Sequence, residues 1–544
     1  MSKGPQKMTQ ETVGGSTRST ATGLPIEVLA PLRGGPRIDS VLSQVAARAP
    51  EQAALHTELR TLSYAELDAE ATSCAAALRA ALGSAEAVVA VTAALDETFP
   101  IAFYGIARAG YTSALVSPLL REDGLIQVLG PSRARVAVVG PDSYRRLSAV
   151  RERLPDLELV VLSHRDADLA ATAADVPTLA ELMGRTVATE VPEAHQDPER
   201  VACLQFTNGT TGAPKAVQLT HRNLEVNAAQ TAYAHQLERD SVLFDYLPTF
   251  HLMHLTASVA AGATLVLHTG ADVVAAVATA ASRRTTHFYS LPVRLILLAV
   301  NPGLPELEAP TLRAVLSGGS TMPPQATSAL GQHFGVPVVQ GYGLAESSPL
   351  ATCDRLDRPK VGSSGPPVPG SETRIVDVET RAVTDAGMRG EIEIRGPQLM
   401  SGYLGRDRSL DLTPDGWFAT GDIGQLDEDG CLFVVDRIKD VFKCDNWLVS
   451  PTEIERVLLR HPSVADCAVV DVPDPFSGAV AYGLVVPRDE HARPEDMAAF
   501  VSESLPYYAH LRRVEFVESI PRTVNGGKVL RRELRAQVRD RLAG

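Results

Sequence analysis

The sequence predicts an α/β fold, with a large N-terminal domain of mostly parallel sheets flanked by helices and a small C-terminal α+β domain. Three observations predict it. Short β-branched runs such as "AVVAV" (87–91) and "ARVAVVG" (134–140) alternate with helix-length apolar periodicity, the pattern of strand–helix crossovers. The alternation continues past "TLVLH" (264–268) and "AVLSGG" (314–319). After "GWFATGDIG" (416–424) the β segments shorten and turn residues multiply, which marks a change of domain.

In chain order, residues 1–36 are rich in Ser, Thr and Gly with little apolar periodicity, and are expected to form a disordered lead-in. The N-terminal domain is assigned to 37–435. Its stretch "ELDAEATSCAAALRAAL" (66–82) reads as a helix, because Ala-rich sequence with periodic apolar positions suits one. "VACLQF" (201–206) reads as a buried strand, and "LTHRNLEVNAAQTAYAH" (219–235) as a helix capped by Thr220. The stretch between them, "TNGTTGAPKAV" (207–217), is therefore expected to be a strand-to-helix loop. "CLFVV" (431–435) is a short strand, and "DRIKDVFK" (436–443) is charged with no element period. We place the domain boundary near Asp436 and the small C-terminal domain at 441–544. That domain should contain helices at 451–461, 494–505 and 527–542, and strands at 467–472, 482–487 and 514–519.

Composition bounds the function. The 544 residues are 45% hydrophobic and 21% charged, an ordinary globular mixture. A formal charge of −14 counts against nucleic acid or an anionic membrane as the main partner. The six cysteines form no C-x-x-C pair and suit reduced, scattered thiols in a cytoplasmic protein, not disulfides or zinc. No apolar run approaches the roughly 18 residues of a membrane span. The N-terminus lacks the apolar core of a secretory signal.

The 207–217 stretch concentrates hydroxyls, glycines and one cation. Backbone N–H groups at Gly209 and Gly212, the hydroxyls of Thr207, Thr210 and Thr211, and the charge of Lys215 can surround an anion. Taken by itself the stretch also fits an ordinary flexible loop. It is not a Walker A loop: Gly212 lies three residues before Lys215, Pro214 intervenes, and Ala216 stands where a Mg²⁺-binding hydroxyl belongs.

This stretch resembles the phosphate loop, T-S-G-T-T-G-x-P-K-G-V, of the adenylate-forming (ANL) superfamily of acyl-CoA synthetases, aryl-CoA ligases, luciferases and peptide-synthetase adenylation domains. "QGYGLAESSP" (340–349) is similar to its Y-G-x-T-E motif, and "GWFATGDIG" to its G-W-x-x-T-G-D motif. "DRIKDVFKCDNWLVSPTEIE" (436–455) resembles its hinge motif, and "PRTVNGGKVLRREL" (521–534) its C-terminal lysine motif. The five motifs stand in the family's order and cover about 37–544.

The resemblance implies an ATP-dependent ligase that joins an acid to AMP, with Mg²⁺ as cofactor and CoA as the expected acceptor. Thr207, Asn208, Gly209, Thr210, Thr211, Gly212 and Lys215 would hold the β- and γ-phosphates. Glu346 would support Mg²⁺, a hard cation that prefers oxygen ligands. Tyr342 would stack on adenine, with Gly318, Gly319 and Gly341 leaving room for the base and Ser320, Gly343 and Ala345 completing the nucleotide surface. Asp422 would accept hydrogen bonds from the ribose, helped by Arg437. Lys528 would bridge the substrate carboxylate and the α-phosphate, joined in the catalytic set by Glu346, Thr207 and Lys443. Lys439 would mark a hinge at 436–440 about which the C-terminal domain is mobile. The acid pocket would be lined by His251, His254, Tyr289 and Ser347. His251 could equally gate that pocket or be a satisfied core histidine. Outside the motifs, Lys528 and Glu346 would read as solvated charges and "TGD" as a plain turn.

Three departures stand out. Ala345 replaces a Thr, Asp445–Asn446–Trp447–Leu448 replaces K-G-x-Q or S-G-x-N beside the pantetheine path, and the lysine motif has one extra glycine. Asn446 is expected to supply the positive φ of the usual glycine. Most departures fall near the second half-reaction. The leading expectation is a small aromatic or medium-chain carboxylate passed to CoA, with no carrier domain in the chain. A nitrogen acceptor is the alternative, in an amide synthetase or a nitrite-activating diazotase acting on an aryl amine. A nucleotide-binding pseudo-ligase is a third, against which retention of Lys215, Glu346, Asp422, Arg437 and Lys528 argues.

Overall fold

The computed structural model describes residues 10–13, 16–19, 32, 35–83, 86–186, 197–207, 214–445, 447–489, 491–522 and 529–543. It is α/β, and the chain divides into two compact units. The first comprises Met1–Glu11, Thr17–Glu372 and Arg395–Phe418, the second Thr12–Ser16, Thr373–Ile394 and Ala419–Gly544.

The first unit is built on two large sheets. One is ordered Gly402–Tyr403, Ala216–Thr220, Val201–Phe206, Thr112–Val116, Val88–Thr92, Val136–Val139, Leu159–Leu162. It is parallel from Val201–Phe206 onward and antiparallel at its first three strands. The other is ordered Leu350–Cys353, Val338–Gly343, Ala314–Ser317, His287–Ser290, Val242–Tyr246, Thr264–Leu267, Ala53–His56, Thr61–Ser63, with only its two end strands antiparallel. Side chains alternate across each strand, so each face gets its own core. Phe244, Tyr246, Phe288 and Val315 pack on one face against Val277, Leu295 and Leu330. Leu243, Asp245, His287 and Tyr289 fall on the other face by the same alternation.

The predicted helix at 66–82 runs Tyr64–Leu82, fixed by a Ser63–Glu66 capping box and stopped by Gly83 at φ 59°. Helix His221–Ala234 is capped by Thr220 as expected, through Thr220 and Asn223. The stretch before it is not a strand-to-helix loop. Residues 216–220 form a strand antiparallel to Val201–Phe206, so 207–215 is the tip of a hairpin. The β-branched, apolar sequence of Ala216–Thr220 satisfies a second strand, and the loop is clasped at both ends.

In the second unit Phe418–Leu426 pairs with Leu432–Arg437, from Asp422↔Arg437 to Leu426↔Leu432. This ladder, with Gly390–Arg395 and Glu372–Val376 beside it, groups with the C-terminal part, so the compact units do not divide at residue 436. Strands Gln10–Val13 and Ser16–Ser19 extend the same sheet, where the sequence reading expects disorder over 1–36. The Gly-Gly pair between two runs containing Val and Thr is a hairpin signal that the low apolar content obscured.

The C-terminal sheet is ordered Trp447–Val449, Phe442–Cys444, Gly478–Pro487, Val464–Asp474, with Leu511–Phe516 parallel to Gly478–Pro487. Its central hairpin is longer than expected because Pro473 and Asp474 stay in the ladder. Helices Pro451–Leu458 and Pro494–Ser504 fall where expected. The last helix begins at Arg531, since Val529 forms a bridge with Arg522. All six cysteines are buried, and none is joined in a disulfide. Among the described residues, no helix is long and apolar enough to cross a membrane.

Candidate active site

The hairpin 201–220 positions the first set of functional groups. At its neck the Thr207 N–H donates to the Lys215 carbonyl at 3.0 Å, and the Lys215 N–H donates to Thr207 Oγ1 at 3.3 Å. This clasp closes the loop whose central residues Asn208, Gly209, Thr210, Thr211 and Gly212 lie outside the described residues. Lys215 itself is exposed.

Strand Gly402–Tyr403 pairs with the same hairpin, Tyr403 opposite Val217. Lys215 Nζ sits 4.6 Å from the centroid of the Tyr403 ring, a cation–π contact. The Tyr403 hydroxyl donates to Glu346 Oε1 at 2.6 Å. Glu346 is buried on the 3₁₀ turn Ala345–Ser347, and its carbonyl accepts the Met400 N–H at 2.8 Å. Burial, then the Glu346 carboxylate, raises the phenol's pKa, so Tyr403 stays a donor. Cation, aromatic and carboxylate thus form one connected surface at the neck of the loop. Sequence reasoning missed Tyr403. Its only signal is an aromatic in "SGYLG" (401–405), which no spacing rule links to Glu346.

Glu346 fits the proposed Mg²⁺ role. It is an oxygen donor held by one hydrogen bond on Oε1, and hard cations bind through such carboxylates with remaining positions left for phosphate oxygens and water.

Tyr342, Gly318, Gly319 and Ser320 lie at the carboxyl ends of the parallel strands Val338–Gly343 and Ala314–Ser317, where α/β sheets bind ligands. All four are half-buried or exposed. Gly319 has φ 86° and needs glycine. Gly341 and Gly343 are explained differently from the expectation. A Cβ on Gly341 would lie 2.8 Å from Leu350, and one on Gly343 would lie 1.8 Å from the Pro349 carbonyl. The Pro349 backbone excludes a side chain at Gly343 whatever base is bound, whereas at Gly341 the end of the Leu350 side chain would have to shift. Ser347 is also redirected. Its hydroxyl donates to Leu344 and Pro349 carbonyls within its own turn, so it offers no free polar group to a pocket.

The expected pocket residues His251, His254 and Tyr289 do come together. The rings of His254 and Tyr289 are 4.2 Å apart, and those of His251 and His254 are 5.2 Å apart. Burial, then His254, lowers the His251 pKa to about 3, so its imidazole is neutral. His235 and Asp245, which the sequence did not single out, join the cluster. His235 Nδ1 lies 2.9 Å from the Tyr289 hydroxyl, and Asp245 Oδ1 lies 3.3 Å from His254 Nδ1.

In the second unit, the expected ribose pair Asp422 and Arg437 face each other across two strands, with Arg437 Nε 3.5 Å from Asp422 Oδ1. Ile438 N–H donates to the Gly421 carbonyl, and the Val441 and Asp440 amides return to Arg437, which shapes the turn around Lys439. Lys443, expected in the catalytic set, makes an ion pair with Glu379, both largely exposed. Asp445, just before the position where the positive φ is expected, adopts φ 49°. Asn446 and Lys528 lie outside the described residues.

The AMP-binding enzyme family matches residues 42–404, and the C-terminal domain of AMP-binding enzymes matches residues 453–528. The 4-coumarate–CoA ligase 2 of Petroselinum crispum is 32% identical over 457 residues, which span 80% of this chain and 82% of that protein. An anthranilate CoA ligase solved with anthranoyl-AMP shares the fold, with a TM-score of 0.83 over 93% of this chain and 98% of that one at 24% identity. The amide bond synthetase of Marinactinospora thermotolerans superposes with a TM-score of 0.81 over 92% of this chain and 100% of that one, at 25% identity.

Proposed function

The chain belongs to the AMP-binding enzyme family, and from that premise we propose that it activates a small aromatic or medium-chain carboxylate as its acyl adenylate and transfers the acyl group to CoA. It is an ATP-dependent, adenylate-forming ligase. The observation that carries the reading is the Lys215–Tyr403–Glu346 surface at the neck of the 207–215 loop.

In the first half-reaction a substrate carboxylate oxygen attacks the α-phosphorus of ATP and pyrophosphate leaves. A carboxylate is already ionised at neutral pH, so no base is needed. Lys215 and the loop hydroxyls take the charge of the β- and γ-phosphates, and Thr207 closes the loop on them. Mg²⁺, when bound, supplies charge neutralisation on the phosphate oxygens, and Glu346 would hold it. Lys528 stabilises the charge that develops between carboxylate and α-phosphate. Asp422 and Arg437 hold the ribose. In the second half-reaction the CoA thiol attacks the adenylate carbonyl and AMP leaves, the Lys439 hinge exchanging one set of groups for the other. Buried cysteines outside any disulfide suit a cytoplasmic setting.

A nitrogen acceptor is the second reading. The carboxylate of Asp445, which could hold or deprotonate an incoming amine beside the acceptor path, and the similarity to an amide bond synthetase favour it. Mass spectrometry of products formed from ATP, an acid pool including nitrite, CoA and a panel of aryl amines separates the two. Thioester product supports CoA transfer. Amide or diazo product without thioester overturns it.

A further inference from the structure

Strand Val242–Tyr246 places Asp245 beside Tyr289 in register, on the sheet face that also carries His287. Asp245 is 0% exposed, and among the described residues neither of its carboxylate oxygens accepts a hydrogen bond. His254 Nδ1 approaches to 3.3 Å without hydrogen-bond geometry, and it too lacks a hydrogen-bond partner, as does His251 Nδ1. The neighbouring polar groups are occupied. The Tyr289 hydroxyl engages His235 Nδ1, and His287 lies between the Thr286 hydroxyl and the His235 carbonyl.

A buried carboxylate without a donor is costly, and such groups are nearly always partnered. The missing partner must be a donor, and it must reach a cluster whose other members, His251, His254 and Tyr289, are those proposed to line the acid pocket. Around it the site offers aromatic rings: imidazoles at 5.2 Å and a phenol at 4.2 Å from His254. A flat ring stacks on such walls, and a ring N–H or O–H can reach the carboxylate.

We propose that Asp245, with His254 beside it, is the specificity-determining residue for an aromatic acid that carries a hydrogen-bond-donating ring substituent, an amino or hydroxyl group. The inference rests on the adenylation reading and names the substrate class of that site. The carboxylate accepts from the substituent, and a ring without one leaves Asp245 unpaired. A site built to bond such a group discriminates strongly against the analogue that lacks it.

The test is acid-dependent pyrophosphate release with ring-positional series of aminobenzoates, hydroxybenzoates and methylbenzoates, plus benzoate and hexanoate. These are assayed on the wild type, Asp245→Asn and Asp245→Leu. The wild type should favour its best amino or hydroxy acid over the isosteric methyl acid by at least about tenfold in kcat/KM. Asp245→Asn, which keeps an acceptor, should retain a weakened preference. Asp245→Leu should lose or invert it, and its turnover of the methyl acid reports that it is folded. If Asp245→Leu turns over nothing, the Asn variant decides. Equal wild-type turnover of amino, hydroxy and methyl acids overturns the inference and leaves adenylation standing, as does an unchanged preference in the variants. Activity on hexanoate alone does the same. Release with no acid at all overturns the adenylation reading and this inference with it.

Discussion

Tyr403 is the residue through which Lys215 and Glu346 communicate, touching one with its ring face and the other with its hydroxyl. Tyr403→Phe keeps the ring under the lysine and removes only the donor to the carboxylate. A hydrogen bond to a charged group contributes about 1.5–3 kcal/mol, so adenylation should fall about 10- to 100-fold and the Mg²⁺ requirement should rise. Pyrophosphate release titrated with Mg²⁺ checks this, and unchanged kinetics would detach Tyr403 from the site. A second residue-scale prediction concerns pH. Burial lowers His221 and His251 to about 3 and His287 to about 4, and lowers His235 well below its usual value. Between roughly pH 4 and 6.5 the unfolded chain therefore binds more protons at these sites, and their contribution to stability is lost as pH falls through that window. Glu225, pushed by burial up to about 8, and Asp354, pushed up to about 6, act oppositely: folded, they hold protons the unfolded chain has released. Among the described residues six imidazoles, His56 and His268 included, are lowered against five carboxyls raised, Asp96, Asp440 and Glu455 included, so the melting temperature should drop from pH 6.5 to 4.5. Glu225→Gln should steepen that drop. A flat profile in the wild type would contradict the burial of the histidine cluster.

At the scale of elements, the sequence revealed strands wherever apolar runs were bounded by turn residues. Val201–Phe206 coincides with its predicted bounds because six residues of β-favouring sequence meet a glycine-rich stretch. Pairing partners were less legible. Nothing local in Ala216–Thr220 says that it returns along Val201–Phe206, nor that Gly402–Tyr403, almost 200 residues on, joins it and delivers Tyr403 to the site. The motifs marked which residues matter, and long-range register decided which of them meet. Asp245 was invisible for the same reason: its significance lies in His254 and Tyr289 on other elements. In the second unit the most buried of several ion pairs that fasten the last helix joins Arg531 to Glu455, beside those of Arg535 and Arg539 with Asp471. Both terminal nitrogens of Arg531 bond the Glu455 carboxylate, and they also reach the Val469 carbonyl and the Thr452 hydroxyl. Glu455→Gln strips the charge from one side and should destabilise this unit by about 3–5 kcal/mol. The paired change Glu455→Leu with Arg531→Met should recover most of the loss, since a well-packed apolar pair replaces two desolvated charges. Urea denaturation of single and double variants measures this. Losses that simply add would show that the two side chains do not act as a pair.

At the scale of the whole molecule, two reactions are proposed to share one pocket through rotation at 436–440. Lys439→Pro restricts φ there and should separate them. Adenylate should accumulate and be detectable by mass spectrometry, while transfer to the acceptor stalls. Equal slowing of both steps would argue against a hinge at that position. The fold class and the order of the five motifs were readable because each motif serves a local backbone need or carries a reactive group. The compact units were not, because the strands 372–376, 390–395 and 418–437 owe their grouping to hydrogen bonds between distant segments. The central claim is acid adenylation with Lys528 acting on the transition state. Exchange of labelled pyrophosphate into ATP, run with and without acid in the wild type and in Lys528→Ala, tests it most directly. The account predicts acid-dependent exchange in the wild type and a loss of roughly 10²–10³-fold in the variant with ATP binding retained. Exchange that needs no acid, or that survives Lys528→Ala at the wild-type rate, would contradict it.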